Sequence, residues 1–212
     1  MRKIAIVGSG GFAREVMTLI MDINRCKPQY EIVGFVGLDK TQTIHGYPVI
    51  GNDEEVNLTK EPLSLVIAVG EPHMKAKIRT KYTNPLISFP TLVHPSVLIG
   101  DNQSVLFGEG CVVCAGCILT TDIQIKDFVT LNLMCTVGHD TVIESCSSFM
   151  PSVNISGEVL IHEGVYVGTG AKIINQLEIG EKTIVGAGAV VAKSLPADCT
   201  AVGMPAKPIK FH

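Results

Sequence analysis

The sequence holds 212 residues, enough for one large domain or two small ones, and its 46% hydrophobic against 17% charged residues allow a substantial core and exclude a disordered chain. A net charge of -3 offers no basic surplus for nucleic acid or an anionic membrane surface. Aromatics make up only 5%, with no Trp, while 21 glycines suit a regular, narrow architecture rather than a sandwich with large core aromatics.

The opening segment MRKIAIVGSGGFAREV is not a signal peptide, because its apolar run is only Ile4 to Val7 and glycines follow at once. No apolar run approaches the roughly 20 residues of a membrane span. Seven cysteines, an odd number, are expected to be reduced thiols, and the chain is expected in the cytoplasm. Lys3 to Val7 predicts a buried parallel strand, Gly8-Ser9-Gly10-Gly11 a turn, and Ala13 to Ile23 a helix with Val16, Ile20 and Ile23 on one side. Glu31 to Val36 and Leu65 to Val69 predict two more strands, and Pro72 to Tyr82 a helix. This β-α-β pattern implies a small parallel sheet of Rossmann-like βαβαβ type over residues 1–85.

A different period then takes over. From Phe107 to Val191, every sixth residue is large and apolar, through Leu131, Val137, Ile143, Phe149 and Ile155, fifteen positions in all. Four residues after each stands a small or apolar residue, from Cys111 and Cys117 to Thr183 and Ala189. The residue just after the large one is glycine at 108, 138, 168, 180 and 186. Neither helix nor ordinary strand has this period. A strict six-residue repeat predicts a solenoid of short strands, with three hexads per 18-residue triangular coil. Each buried large aliphatic contributes roughly 1.5–3 kcal/mol before entropy. The frame also catches Ile87, Val93 and Ile99, with two residues inserted before Phe107. Phe107 is expected to open the solenoid, whose domain spans 86–195. Pro196, Pro205 and Pro208 are expected to end it and leave 196–212 as a tail. The run Cys111-x-x-Cys114-x-x-Cys117 invites a metal reading, but the frame turns Cys111 and Cys117 inward on different faces and stacks Cys117 on Cys135. Core thiols and no metal are expected.

The glycine-turn start IAIVGSGGFAREV, then GYPVIGND, IAVG, LVHPSV, LNLMCTVGHD, VNISGEVLIHEGVYVGTGA and the closing GMPAKPIK resemble the left-handed parallel β-helix acyltransferases. The nearer resemblance is to the bacterial sugar acetyltransferases of the PglD-like and NeuD-like group, and it spans essentially the whole chain. It implies a homotrimer that moves an acetyl group from acetyl-CoA to an amino or hydroxyl group of a sugar, often nucleotide-linked. It also implies CoA between neighbouring β-helices, and an N-terminal domain that holds the nucleotide end of the sugar. Surface glycan synthesis is the implied setting.

On that resemblance His139, at an outward corner, falls where the family places its general base, and an imidazole titrating near neutrality suits that role. Asp140 would favour the charged imidazole and fix its tautomer. Asn132 is expected in the same site, as a hydrogen-bonding partner. Ser148 stands where relatives have a second His against CoA, so a hydroxyl contact to the thioester carbonyl is expected there. Gly157, Thr169 and Ala187 align with main-chain contacts to acetyl-CoA. Gly10, Gly11 and Phe12 form the first turn, where backbone can approach a ligand and a helix N-terminus favours anions. Gly37 and Leu38 follow the second strand, with Asp39 as one displaced acid where the family carries an acidic pair. Gly70 closes the third strand beside the same crevice. Three other readings remain at this point. One is O-acetylation of sialic acid or a related sugar. Another is a non-catalytic nucleotide-sugar-binding trimer. The last is a gamma-class carbonic anhydrase, which needs three histidines where the repeat has only His139 and His162 without HxxxxH spacing.

Overall fold

In a computed structural model describing residues 1–212, an α/β region leads into a left-handed parallel β-helix. The first region runs β1 (Arg2–Val7), α1 (Gly11–Cys26), β2 (Tyr30–Val36), β3 (Thr43–Ile44), β4 (Tyr47–Gly51), α2 (Asp53–Val56), β5 (Leu63–Ile67), α3 (Pro72–Arg79) and β6 (Ile87–Ser88). The sheet order is β3-β4-β2-β1-β5-β6, parallel except for the β3–β4 hairpin. β1 therefore lies between β2 and β5, and the strand order reverses there. That places a crevice at the C-terminal ends of β1 and β5. The hairpin and α2 were not visible in the apolar pattern. α2 is one turn, held by a capping box in which Asn52 Oδ1 accepts from Glu55 N–H and Glu55 accepts from Asn52 N–H. α3 stops at Arg79 rather than Tyr82, because Tyr82 turns inward and donates its hydroxyl to Asp53 Oδ1 at 2.6 Å.

The hexads build three parallel faces. On the first, Val113, Leu131, Phe149, Val167 and Val185 pair in sequence. On the second, Leu119, Val137, Ile155, Ile173 and Val191 do so. On the third the series is Phe107, Ile125, Ile143, Ile161 and Ile179. Each partner is 18 residues on, and the stacked side chains form one core. The small inward positions belong to the same core: Cys111, Cys117 and Cys135 are buried free thiols, and Cys114 faces out against α1.

Both ends of the solenoid lie outside the expected frame. The coil opens at Leu92–Val93 and Leu98–Ile99, not at Phe107, and these strands pair 20 residues on, with Val112 and Leu119 among their partners. The two extra residues sit in the turn at 101–104, which leaves strand pairing intact on either side. Ile87, although in frame, pairs instead with Leu63 in the first sheet. At the other end the prolines do not stop the coil. Leu195 bridges to Ile179, and Cys199–Gly203 pairs with Ile184–Val185 before an antiparallel return over Ala206–Phe211. No helix is long and apolar enough to cross a membrane.

Two glycine-type requirements at the corners fall in different phases. The third residue after each large one takes positive φ throughout, from Gly110 (66°) through Asp140 (55°) to Gly188 (67°). Nine of these fourteen are not glycine, so coil stacking outweighs the left-handed penalty. The glycines just after the large residues serve close approach instead. A Cβ at Gly138 would stand 2.5 Å from the Gly157 nitrogen of the next coil.

The α/β region docks on the outer side of the first face. Lys75 of α3 is fully enclosed there and donates to Ser148 Oγ at 2.9 Å, Thr130 Oγ1 at 3.0 Å and the Ser147 carbonyl at 3.3 Å. His94, in the first coil, meets Asp22 of α1 at 3.2 Å. Phe128 packs edge-on against Phe89, which packs against Tyr82, with ring centroids 5.3 and 5.9 Å apart.

Burial pushes the Lys75 ammonium down to about 8. Between there and the ordinary value of 10.5 the unfolded chain binds the extra proton, so the stability this group confers rises with pH across that window. The difference in unfolding free energy between wild type and Lys75→Met is expected to grow in favour of wild type from pH 8 to pH 10, by up to about 1.4 kcal/mol per unit. Denaturant titrations at several pH values check this; a flat difference would mean Lys75 does not titrate there.

Candidate active site

The corner between the second and third faces stacks Thr121, His139 and Gly157, one per coil. Asp140 N–H donates to the Thr121 carbonyl, Glu158 N–H to that of His139 and Gln176 N–H to that of Gly157, at 3.3, 2.7 and 3.1 Å. The core fixes Val137 inward, so His139, two residues on, must point out of the coil. Its side chain is 54% exposed and that of Asp140 59%. His139 Nδ1 lies 2.8 Å from Asp140 Oδ2. A carboxylate only accepts, so Nδ1 carries the proton and a neutral ring presents the Nε2 lone pair. The left-handed φ of Asp140 bends the chain back so that neighbouring residues can make this contact.

Asn132 occupies a different corner, between the first and second faces. It is nearly buried, and its Oδ1 accepts from Leu133 N–H at 2.7 Å. Thr169 and Ala187 stand exposed on this same corner in later coils, linked by Gly188 N–H donating to the Thr169 carbonyl at 2.8 Å. A single chain thus gathers His139, Asp140 and Gly157 at one corner and Asn132, Thr169 and Ala187 at another, with the second face between them.

Ser148 is not placed for the expected cofactor contact. It is fully buried on the first face, and its hydroxyl accepts from Lys75. It stands just before the inward Phe149 and so points out of the coil, on the side that the α/β region covers. Lys75 itself was missed by sequence reasoning. Its one signal was position: it lies three residues after the buried Pro72, on the inner side of α3.

Gly10 caps α1 without a side-chain bond, and no acidic residue stands in the first turn, so the backbone N–H groups of Gly11 and Phe12 face the crevice end of β1 uncontested. Gly37 N–H donates to the Gly51 carbonyl, and Leu38 after it is 92% exposed. Asp39 is tied up by the N–H and hydroxyl of Thr41, and these bonds hold its carboxyl below the ordinary value. A cleft of about 770 Å³ lies between the start of α3 and the first face. Gly70, Met150, Tyr166, Glu163 and Glu181 line it, but neither His139 nor the Gly10–Phe12 turn does. Size alone does not make it the reactive centre, and the His139–Asp140 pair is on another corner. No three His, Cys, Asp or Glu side chains gather as metal ligands.

Known proteins similar to this chain cover both of its parts. Residues 3–82 match the model of the PglD N-terminal domain. PerB from Caulobacter crescentus, solved in complex with CoA and GDP-perosamine, is 31% identical, with 99% of this chain and 98% of that one covered and a TM-score of 0.88. The chain belongs to the hexapeptide-repeat sugar acetyltransferases of the PglD- and NeuD-like group. The acetyltransferase domain of PglB from Neisseria gonorrhoeae FA1090, solved with acetyl coenzyme A, is similar to the same extent: 30% identity, 98% and 99% coverage, TM-score 0.90. Serine acetyltransferase from Buchnera aphidicola is 32% identical over 119 residues, and that match spans 56% of this chain but only 38% of the enzyme.

The His139–Asp140 contact makes a spectroscopic prediction. In ¹⁵N spectra at neutral-to-alkaline pH, wild-type His139 is expected to show a protonated Nδ1 and a bare Nε2. In Asp140→Ala the ring is expected to shift toward the Nε2–H form, which is favoured in free histidine. Identical spectra for the two would remove Asp140 from the tautomer argument.

Proposed function

We propose that this acetyltransferase of the sugar-modifying family acetylates the amino group of a nucleotide-linked sugar by direct attack on acetyl-CoA, with His139 as general base. The observation that carries the assignment is the exposed imidazole with its Nδ1 held by Asp140 and its Nε2 free, at a corner whose next coil presents the Gly157 main chain expected at the cofactor. The thioester supplies an activated acyl carbon. As the amine nitrogen bonds to that carbon, its proton passes to His139 Nε2, and Asp140 stabilises the imidazolium that results. The bond to sulfur then breaks, and the imidazolium can return the proton to the leaving thiolate. No covalent enzyme intermediate is needed. Amine rather than hydroxyl acetylation is supported by PerB, a relative over its whole length, solved with GDP-perosamine. The crevice end of β1, with its uncapped helix start at Gly10, suits the phosphates of such a substrate.

The site is assembled between copies. Asn132, Thr169 and Ala187 and the His139 pair lie on two corners of one prism, so a pocket using both sets needs the first corner of one subunit against the second corner of another. A homotrimer closes that arrangement with three equivalent sites. Exposed Leu98, Ile118, Leu133 and Met134, on and beside the second face, offer the apolar surface for it. We place the reaction in the cytoplasm, in keeping with six buried free thiols and one exposed.

His139→Ala is expected to lower kcat for thiol release from acetyl-CoA by roughly 10²–10⁴-fold with a nucleotide-linked amino sugar. Retention of full turnover would rule out His139 as base. Copies carrying His139→Ala, mixed by refolding or co-expression with copies carrying Asn132→Ala, are expected to recover activity, because one interface then pairs an intact His139 corner with an intact Asn132 corner. No recovery in oligomers shown to be mixed would place both residues' work within one chain.

A further inference from the structure

The phase that carries His139 runs from Glu109 to Lys193 in steps of six, fifteen positions that each stand two residues after a large core residue. Fourteen of them bear side chains, among them Ala115, Thr121, Glu163 and Asn175, and only Gly157 does not. Backbone conformation does not require the exception. Gly157 is absent from the residues with positive φ, so an L-residue fits its main chain. The His139 ring in its observed position does require it. A Cβ at 157 would stand 2.5 Å from His139 Nε2, 2.6 Å from Cε1 and 2.9 Å from Cδ2. No pair of carbon or nitrogen atoms in van der Waals contact comes that close. The imidazole therefore lies over the bare Cα of the next coil, with Nε2, Cε1 and Cδ2 its nearest atoms.

We propose that Gly157 is a positioning residue for the reaction: its missing side chain is the seat on which the His139 ring lies, so that the Asp140 contact at Nδ1 and the Gly157 contact beneath the ring together fix where Nε2 points. Gly138 is the second half of the device. A Cβ there would meet Gly157 N at 2.5 Å and the Ser156 carbonyl carbon at 2.6 Å, so its absence lets the coil carrying the seat approach the coil carrying the base. Asp140 alone constrains the ring at one atom. A half-exposed side chain held at one atom still swings, and a displacement of about 1 Å at a reacting group costs on the order of 10²-fold in rate. The seat removes that freedom without a hydrogen bond that would occupy Nε2.

This inference rests on His139 being the base, and its test separates the two. In ligand-free protein, nuclear Overhauser contacts are expected between the His139 ring protons Hε1 and Hδ2 and the Gly157 Hα protons. That measurement stands whether or not acetyl transfer is ever observed, and no such contact in wild type overturns the seat. Gly157→Ala is expected to fold with an unchanged melting temperature, because the exposed ring can swing away. Its ring contacts to residue 157 are expected to vanish. Its kcat is expected to fall about 10²-fold while KM for acetyl-CoA stays near wild type. Asn175→Ala, the same phase one coil on, is expected to leave both constants unchanged. A rise in KM for acetyl-CoA at unaltered kcat would overturn the proposal, since the glycine would then serve the cofactor and not the base. A wild type that shows the ring contacts but transfers no acetyl group would refute the functional reading and leave the seat standing as structure.

Discussion

Stacking of one large aliphatic on another, 18 residues apart along each of three faces, is the interaction on which the rest of this molecule depends. It buries Leu131, Phe149, Val137, Ile155, Ile143 and Ile161 almost completely. Because a hexad is rigidly divided into inward and outward positions, fixing the inward residue fixes what its neighbours can do. His139 is outward because Val137 is inward. Asp140 takes a left-handed conformation because every coil turns at that phase, and coil stacking outweighs the conformational cost. The His139 corner is thus a consequence of core packing, with no strain special to it.

Rigidity of this kind suits a site whose members come from different corners and, on the proposed reading, from different copies. A base on a flexible loop would lose orientation each time a neighbour shifted. Here His139, the proposed base, is on a coil whose backbone is bonded above and below: His139 O accepts from Glu158 N–H, and Asp140 N–H donates to Thr121 O. The α/β region is held to the same prism by a different kind of contact, the enclosed Lys75 ammonium with its three oxygen acceptors. An ammonium without a carboxylate partner is an expensive group to bury, and three well-placed acceptors offset that cost only when the docking geometry is right. It therefore specifies the relative placement of the two regions more sharply than an apolar patch of the same size would.

These facts explain what the sequence disclosed and what it withheld. Periodicity reports a residue's direction relative to the coil, and so the inward rungs, the outward His139 and the core placement of Cys111 and Cys117 were legible. Periodicity is silent on what covers an outward side chain. Ser148 points out of the coil, yet its exposure depends on a domain packed against that face, and it is a partner for Lys75 instead of a contact for the cofactor. The ends of the coil were misjudged for a related reason. A strand needs only its neighbour's hydrogen bonds and inward side chain, so Leu92 and Ala201 join the first face at spacings of 20 and 16 residues that break the strict frame. Insertions are absorbed in corners, where chain length is free to vary.

The two glycine phases show the same limit from another side. Glycine is the usual occupant of a tight corner, yet the glycines just after the large residues do not sit at the turn. The turn falls two residues later, where Asp, Phe, Met, Cys, Ser, Glu, Gln and Lys all accept positive φ. The glycines instead mark where one coil's main chain comes near the next, and at 157 where a side chain from the coil before it does. Glycines demanded by the approach of neighbouring coils recur along the prism, whereas a glycine demanded by one side chain stands alone in its phase, beside that side chain. Gly157 is of the second kind, and the neighbour that demands it is the imidazole.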